Sequence, residues 1–145
     1  FVNAADQVHS LCFVHALASI DTLVRQHFPV AKVNLTPWRD DPQTRKWIEK
    51  ESIDLAFHFP GWSPRLQCRS LLFQLRLSSE IEDPAPYLLG VIIRGITYEG
   101  ERWRLATVGD WQPTGSYLPH PAQIDHLKEI CRELFLLFPS VVSSK

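Results

Sequence analysis

The chain lacks the features that define several protein classes. Its three cysteines, Cys12, Cys68 and Cys131, are too few and too widely spaced for a disulfide framework. No apolar run approaches the roughly 20 residues that a membrane-spanning helix needs. The common nucleotide-binding, hydrolase and metalloprotease motifs are absent as well. We therefore expect a soluble cytoplasmic protein without a membrane anchor or cofactor, and the missing motifs favour a non-catalytic role.

Charge is also low, and it is unevenly distributed. The net charge is -1 and the isoelectric point about 6.6, which argues against nucleic acid as the partner, because such domains are usually strongly basic. No lysine lies between Lys50 and Lys128, and all six glycines lie between Gly61 and Gly115. Over most of this stretch apolar and polar residues alternate with a period near two, which predicts β-strands whose positive charges are all arginine.

The periodicity predicts an α+β fold in a single domain over residues 1–145, because runs of strands stand beside runs of helices. Residues 139–145 follow the last helix and should form a frayed tail. The predicted helices cover residues 4–28, 41–51 and 120–138. The predicted strands, near 52–59, 65–78, 87–98 and 101–111, form a four-stranded, mainly antiparallel sheet on which the helices pack.

A two-residue turn at Glu99-Gly100 would set the pairing of the last two strands. Partner residue numbers then sum to 199. In this register Arg94 and Trp103 are not partners, but they lie near each other on the same face. Arg102 and Arg104 lie on the other face, next to Gly95, where they would form a shallow positive notch. These arginines are the predicted ligand-binding residues, with Trp103 as an apolar wall, because the arginine fork matches a carboxylate or phosphate. The alternative is that they are solvated or pair with nearby acids.

Two further groups of residues suggest chemistry, and each has a simpler interpretation. His9, Cys12 and His15 recur every three residues, but His9 and His15 would lie about 120° apart around a helix, so ordinary packing is favoured over a metal site. Asp54 and His58 share one face of a strand as a candidate acid–base site. They lie about 13 Å apart along that strand and have no identifiable nucleophile.

The leading hypothesis is a binding domain whose partner is another protein or a second copy of the chain. The first half of helix 4–28 is apolar on two sides, with Val8 and Leu11 opposite the main stripe, as in a helix that meets a partner. Trp62 lies in a turn and Trp111 at a strand end, where tryptophan often marks an interface. The alternatives are a small anionic ligand held by Arg94 or Arg104, single-stranded nucleic acid on the sheet face, and an enzyme that uses Asp54 and His58.

Overall fold

A computed structural model describes residues 2–4, 11–37, 52–77 and 87–138, and it confirms an α+β fold with an antiparallel sheet. The elements follow in chain order: β1 (Val2–Asn3), α1 (Leu11–His27), β2 (Lys32–Asn34), β3 (Ser52–Ser63), β4 (Cys68–Leu77), β5 (Leu88–Thr97), β6 (Gly100–Ala106), β7 (Thr114–Gly115) and α2 (Pro121–Leu136).

The sheet is larger than the sequence pattern predicts. Its strands run in the order β1-β3-β4-β5-β6-β7, and β2 also pairs with β3, so the predicted total of four strands is wrong. The additional strands β1, β2 and β7 are two or three residues long, which is too short to show an alternating pattern. β1 is parallel to β3, whereas all the other pairs are antiparallel.

Several predicted boundaries also need correction. Of the predicted first helix 4–28, residues 11–27 are confirmed as α1, and residues 5–10 lie outside the described residues. The predicted strand 101–111 ends at Ala106, because Gly109 and Trp111 adopt positive φ angles of 82° and 59° that turn the chain. The predicted helix 41–51 and the predicted tail 139–145 lie outside the described residues.

One large core joins the helices to one face of the sheet. The stripe on α1 and the stripe on α2 meet buried leucine, phenylalanine and isoleucine side chains of β3, β4 and β5. The core members with the largest fully buried side chains include Trp103, Phe57, Phe73, Ile20, Leu105 and Leu134. Among the described residues neither helix is long and apolar enough to cross a membrane.

Cys68 and Cys131 belong to this core as free thiols. Burial raises the pKa of each thiol to about 12, because the apolar surroundings disfavour the thiolate. Since the thiolate is the nucleophilic form, both cysteines act as small apolar residues that fill the core.

The β5–β6 hairpin differs from the predicted pairing by one residue. Arg94 pairs with Arg104 and Gly95 pairs with Trp103, after which a bulge shifts the register so that Ile96 faces Glu101. The predicted register, in which Arg94 shares a face with Trp103 and Arg104 pairs with Gly95, is therefore wrong. A one-residue shift moves each side chain to the opposite face relative to its partners, so the predicted positive notch at Gly95 is not formed.

Trp103 instead lies close to a glycine on each neighbouring strand: its indole packs on Gly95 of β5, and its backbone lies next to Gly115 of β7. It is fully buried, and its indole Nε1 donates a hydrogen bond to the Leu66 carbonyl at 2.6 Å. A Cβ on Gly95 would lie 2.3 Å from the indole ring, and a Cβ on Gly115 would lie 2.4 Å from the Trp103 Cα. Gly95 is thus needed for the close approach of β5 to the indole, and Gly115 for the close approach of β7 to the backbone of β6.

Candidate functional site

The sheet face opposite the main core carries a chain of polar side chains across four strands. Gln74 Nε2 donates to Asp54 Oδ2 at 3.3 Å, and Arg94 Nε donates to Gln74 Oε1 at 2.7 Å. Arg94 Nη1 then pairs with Glu101 Oε1 at 2.5 Å. Asp54, Gln74 and Arg94 are all buried, so this chain holds β3 to β6 together through mutually satisfied groups.

This arrangement changes the interpretation of the predicted ligand-binding arginines. The charge of Arg94 is compensated by Glu101, and its fork is already engaged by two side chains. Arg104 lies on the same face, directly opposite Arg94, and is exposed. Trp103 is fully buried in the core. Arg94 and Arg104 are therefore neighbours on one face of the hairpin, and Trp103 lies on the other, so the predicted combination of an arginine with a Trp103 wall is not formed.

Arg102 has a different environment at the end of the sheet. Its guanidinium carbon lies 4.0 Å from the centroid of Tyr117 and 5.1 Å from that of Trp62. Its Nη2 donates to Gln67 Oε1 at 3.3 Å, while its buried Nε has no acceptor among the described residues. The guanidinium of Arg102 thus makes cation–π contacts with both rings, which favour the observed orientations of Trp62 and Tyr117.

Trp62 borders a pocket of about 540 Å³, which we call the tip pocket. It is formed by residues 27–30 at the end of α1, residues 59–66 around the β3–β4 turn, and Gln123 of α2. Phe28 and Phe59 meet edge to face in its wall, with ring centroids 6.0 Å apart. The Trp62 side chain is 41% exposed and that of Val30 62%, so large apolar side chains face solvent at its mouth.

Two basic side chains line the tip pocket, those of Arg65 and His27. Arg65 is exposed and makes no ion pair with another described residue, and no aspartate or glutamate lines the pocket. His27 Nε2 lies 3.3 Å from Glu133 Oε2, and His27 Nδ1 lies 3.2 Å from His126 Nδ1. These contacts fix the His27 ring between α1 and α2 at the pocket wall.

The predicted Asp54–His58 site is not assembled. His58 Nδ1 lies 2.7 Å from Ser70 Oγ and His58 Nε2 lies 3.1 Å from Asn34 Nδ2, while Asp54 is buried against Gln74. Asn34 Oδ1 accepts from the Thr36 backbone, so its amide nitrogen faces the ring and Nε2 must be the acceptor. The proton therefore lies on Nδ1 and is donated to Ser70, which is the reverse of the activation of a serine nucleophile.

The same contacts predict a pH dependence of stability. Partial burial lowers the pKa of His58 below its ordinary value, so the unfolded state binds the proton more readily than the folded state. Neutral His58 makes its full contribution to the free energy of unfolding above pH about 6.5. This contribution is lost as the pH falls from there through the lower pKa of the folded state. We expect a His58→Asn variant to lose less free energy of unfolding than the wild type between pH 7 and pH 5, measured by urea titration. Parallel curves for the two proteins would contradict this.

The remaining predicted interface residues are placed as follows. Trp111 is half-buried and stacks on Phe135 of α2 at 6.3 Å, which closes one side of the core. Val8 lies outside the described residues. Leu11 begins α1, but its side chain lies outside them, as do His9 and the Cys12 side chain. In the part of the chain that is described, no group of three or more histidine, cysteine, aspartate or glutamate side chains could hold a metal ion.

Comparison with known proteins gives a family but no activity. Residues 5–140 match a family model described as a domain of unknown function. The chain belongs to this family. No curated protein matches the chain, and no solved structure does. The contacts of its own residues are therefore the basis for an account of its function.

Sequence reasoning missed most of the tip pocket. The sequence singles out Trp62 as a turn residue, whereas the structure places it in β3, one residue before the strand ends; it also singles out Arg102 for a ligand. Phe28, Val30 and Arg65 were not selected, although Pro29 and the sequence Pro60-Gly61-Trp62-Ser63-Pro64 mark two rigid turns. What could not be read from the sequence is that these two turns lie side by side.

Proposed function

We propose that this domain is a non-catalytic protein-binding module and that the tip pocket is its contact surface. The observation that carries the proposal is the exposed Trp62, which borders an apolar pocket and contacts Arg102, whose guanidinium also lies over Tyr117. Tryptophan, tyrosine and arginine are the residues that most often dominate binding energy at protein interfaces. We place this activity in the cytoplasm, in keeping with the free thiols of Cys68 and Cys131.

A preformed anchor supports this proposal. An exposed side chain loses rotamer freedom when a partner covers it, which reduces affinity. The stacking of Arg102 on Trp62 restricts the tryptophan before binding, so less conformational entropy is lost on contact.

Selection of peptides from a random displayed library tests the proposal. We expect peptides that bind the wild-type domain to lose at least about 30-fold in affinity for a Trp62→Ala variant, which corresponds to a hot-spot side chain. A Tyr98→Ala variant is the matched control, because Tyr98 is 84% exposed, also stacks with an arginine, Arg69, and does not line the pocket. Peptides that bind both variants as tightly as the wild type would contradict the proposal.

A second copy of the chain is one form that the partner could take. The proposed dimer would use residues 8–23 of the first helix, of which the side chains from Val14 onward are described. Val14 is 39% exposed, and the other exposed residues of this face, Ala18, Ser19 and Thr22, are small or polar. Sedimentation equilibrium at high micromolar concentration tests whether the partner is a second copy of the chain. A strict monomer would exclude the homodimer, and the partner would then be a different protein.

A further inference from the structure

Three polar side chains connect the end of α1 to α2 through a contact that the proposed function does not explain. His27 is the last residue of α1, and His126 and Glu133 lie seven positions, or about two turns, apart on one side of α2. The His27 ring lies between the two. Its Nδ1 is 3.2 Å from Nδ1 of His126, and its Nε2 is 3.3 Å from Oε2 of Glu133.

The contact with Glu133 determines which nitrogen of His27 carries the proton. An ionised carboxylate only accepts hydrogen bonds, so Nε2 donates to Glu133 and the lone pair of the neutral ring is on Nδ1. In metalloproteins a ligating histidine almost always donates its other ring N–H to a carboxylate, a carbonyl or a water in this way. His27 thus has the tautomer and the orienting partner of a metal ligand, with Nδ1 as the ligating atom.

The separation of the two Nδ1 atoms fits a shared metal ion. Zinc lies about 2.0–2.1 Å from an imidazole nitrogen, and a tetrahedral angle then holds two such nitrogens about 3.3 Å apart. The observed distance is 3.2 Å. The ring centroids are 5.4 Å apart and the ring planes are at 71°, so each ring must tilt to direct its lone pair at one ion. His126 is exposed, and its ring has room for this tilt.

We propose that His27 and His126 bind a zinc ion through their Nδ1 atoms and that Glu133 is the positioning residue. Imidazole is a ligand that suits zinc, nickel and copper. Glu133 contacts the opposite nitrogen of His27 and does not ligate, so the site has two protein ligands, and water completes the coordination of an exchangeable ion. This inference goes beyond the proposed function and does not depend on it.

The position of the two histidines in the chain gives the ion a mechanical role. His27 and His126 are 99 positions apart in sequence, so only the folded state brings their nitrogens together. A bound ion therefore clamps the end of α1 to α2 and stabilises the folded protein by mass action. Sequence patterns give no sign of this pair, because its members lie on different helices.

Calorimetric titration of the tag-free protein with zinc chloride tests the ligands. We expect the tightest site to have micromolar affinity and to weaken at least about tenfold in His27→Gln and in His126→Gln, each of which removes one of the two ligands. His15→Gln is the matched control, because His15 is an exposed histidine of α1 and should not affect binding. Binding that is lost in His15→Gln and kept in His126→Gln would overturn the proposal.

Thermal unfolding gives a second measurement of the clamp. With zinc at about ten times its dissociation constant, the thermal midpoint of the wild type should rise by about 4 °C. The His126→Gln variant should show no rise, whereas His15→Gln should behave as the wild type. An equal rise in all three proteins would show that the ion binds elsewhere.

Histidine nitrogen NMR of the wild type tests the ligating atoms without any variant. Saturating zinc should shift the Nδ1 resonances of both His27 and His126, while Nε2 of His27 stays protonated against Glu133. A Glu133→Ala variant should bind zinc about tenfold more weakly and lose this fixed tautomer. Unchanged Nδ1 resonances at saturating zinc would show that the two rings make an interhelical hydrogen bond only, and would overturn the proposal.

Discussion

A Gly95→Ala substitution is expected to destabilise the domain by about 3 kcal/mol, at the upper end of the usual range for an overpacked core. The added methyl group would lie 2.3 Å from Cε2 and Nε1 of Trp103 and 2.8 Å from Cζ2. The ring cannot easily move away, because Nε1 is hydrogen bonded to the Leu66 carbonyl and the side chain is fully buried. We expect the thermal midpoint to fall by roughly 10 °C.

Gly61→Ala is the matched control for this experiment. A Cβ at Gly61 meets no atom within 4 Å, so alanine there should be neutral or slightly stabilising. The double variant Gly95→Ala with Trp103→Phe should be less destabilised than the sum of the two single variants, since the smaller ring leaves room for the methyl group. Equal effects of Gly95→Ala and Gly61→Ala on urea unfolding would show that Trp103 is not held against β5 as described.

The second large effect is expected for Arg94→Ala, which should destabilise the domain by about 3 kcal/mol. Its removal takes away the hydrogen bond that Nε donates to Gln74 Oε1 and the charge-assisted bond that Nη1 donates to the Glu101 carboxylate. Arg94→Ala combined with Glu101→Gln should recover part of this loss, because the uncompensated negative charge is then absent.

Arg104→Ala is the matched control for Arg94→Ala, because Arg104 lies opposite Arg94 on the neighbouring strand β6. Arg104 is paired with Arg94 in the register but is exposed, so its removal should change the free energy of unfolding by no more than about 0.5 kcal/mol. If the two alanine variants were equally stable, the polar chain from Asp54 to Glu101 would not contribute to stability. The two arginines are the same residue type with the same predicted role, and only their contacts distinguish them.

How far the sequence predicts this protein depends on the range of the interactions involved. Alternation predicts β4, a short run that is apolar on both faces predicts β5, and the apolar stripe predicts α2, because these patterns report how a long element is buried. β2 and β7 carry no such pattern. They exist because longer strands offer them backbone partners, which is a property of the assembled sheet.

The site was harder to predict for a related reason. The hairpin register depends on a bulge near Arg102 that has no clear sequence signal, and the shift of one residue places Arg94 on the face of Arg104 and not on that of Trp103. The pairing of Gly95 with Trp103 could have been suspected, since a strand glycine often accommodates a large cross-strand side chain. The tip pocket joins residues more than 30 positions apart in sequence, and local patterns do not report such contacts.

The most direct test of the account is a two-dimensional amide NMR titration of the wild-type domain with a selected peptide. The account predicts that the largest shift changes occur at residues 28–30, 59–66 and 123, with small changes at Arg94, Arg104 and the exposed face of α1. Shift changes centred on Arg94 and Arg104, or on α1, with none at the tip pocket would contradict it.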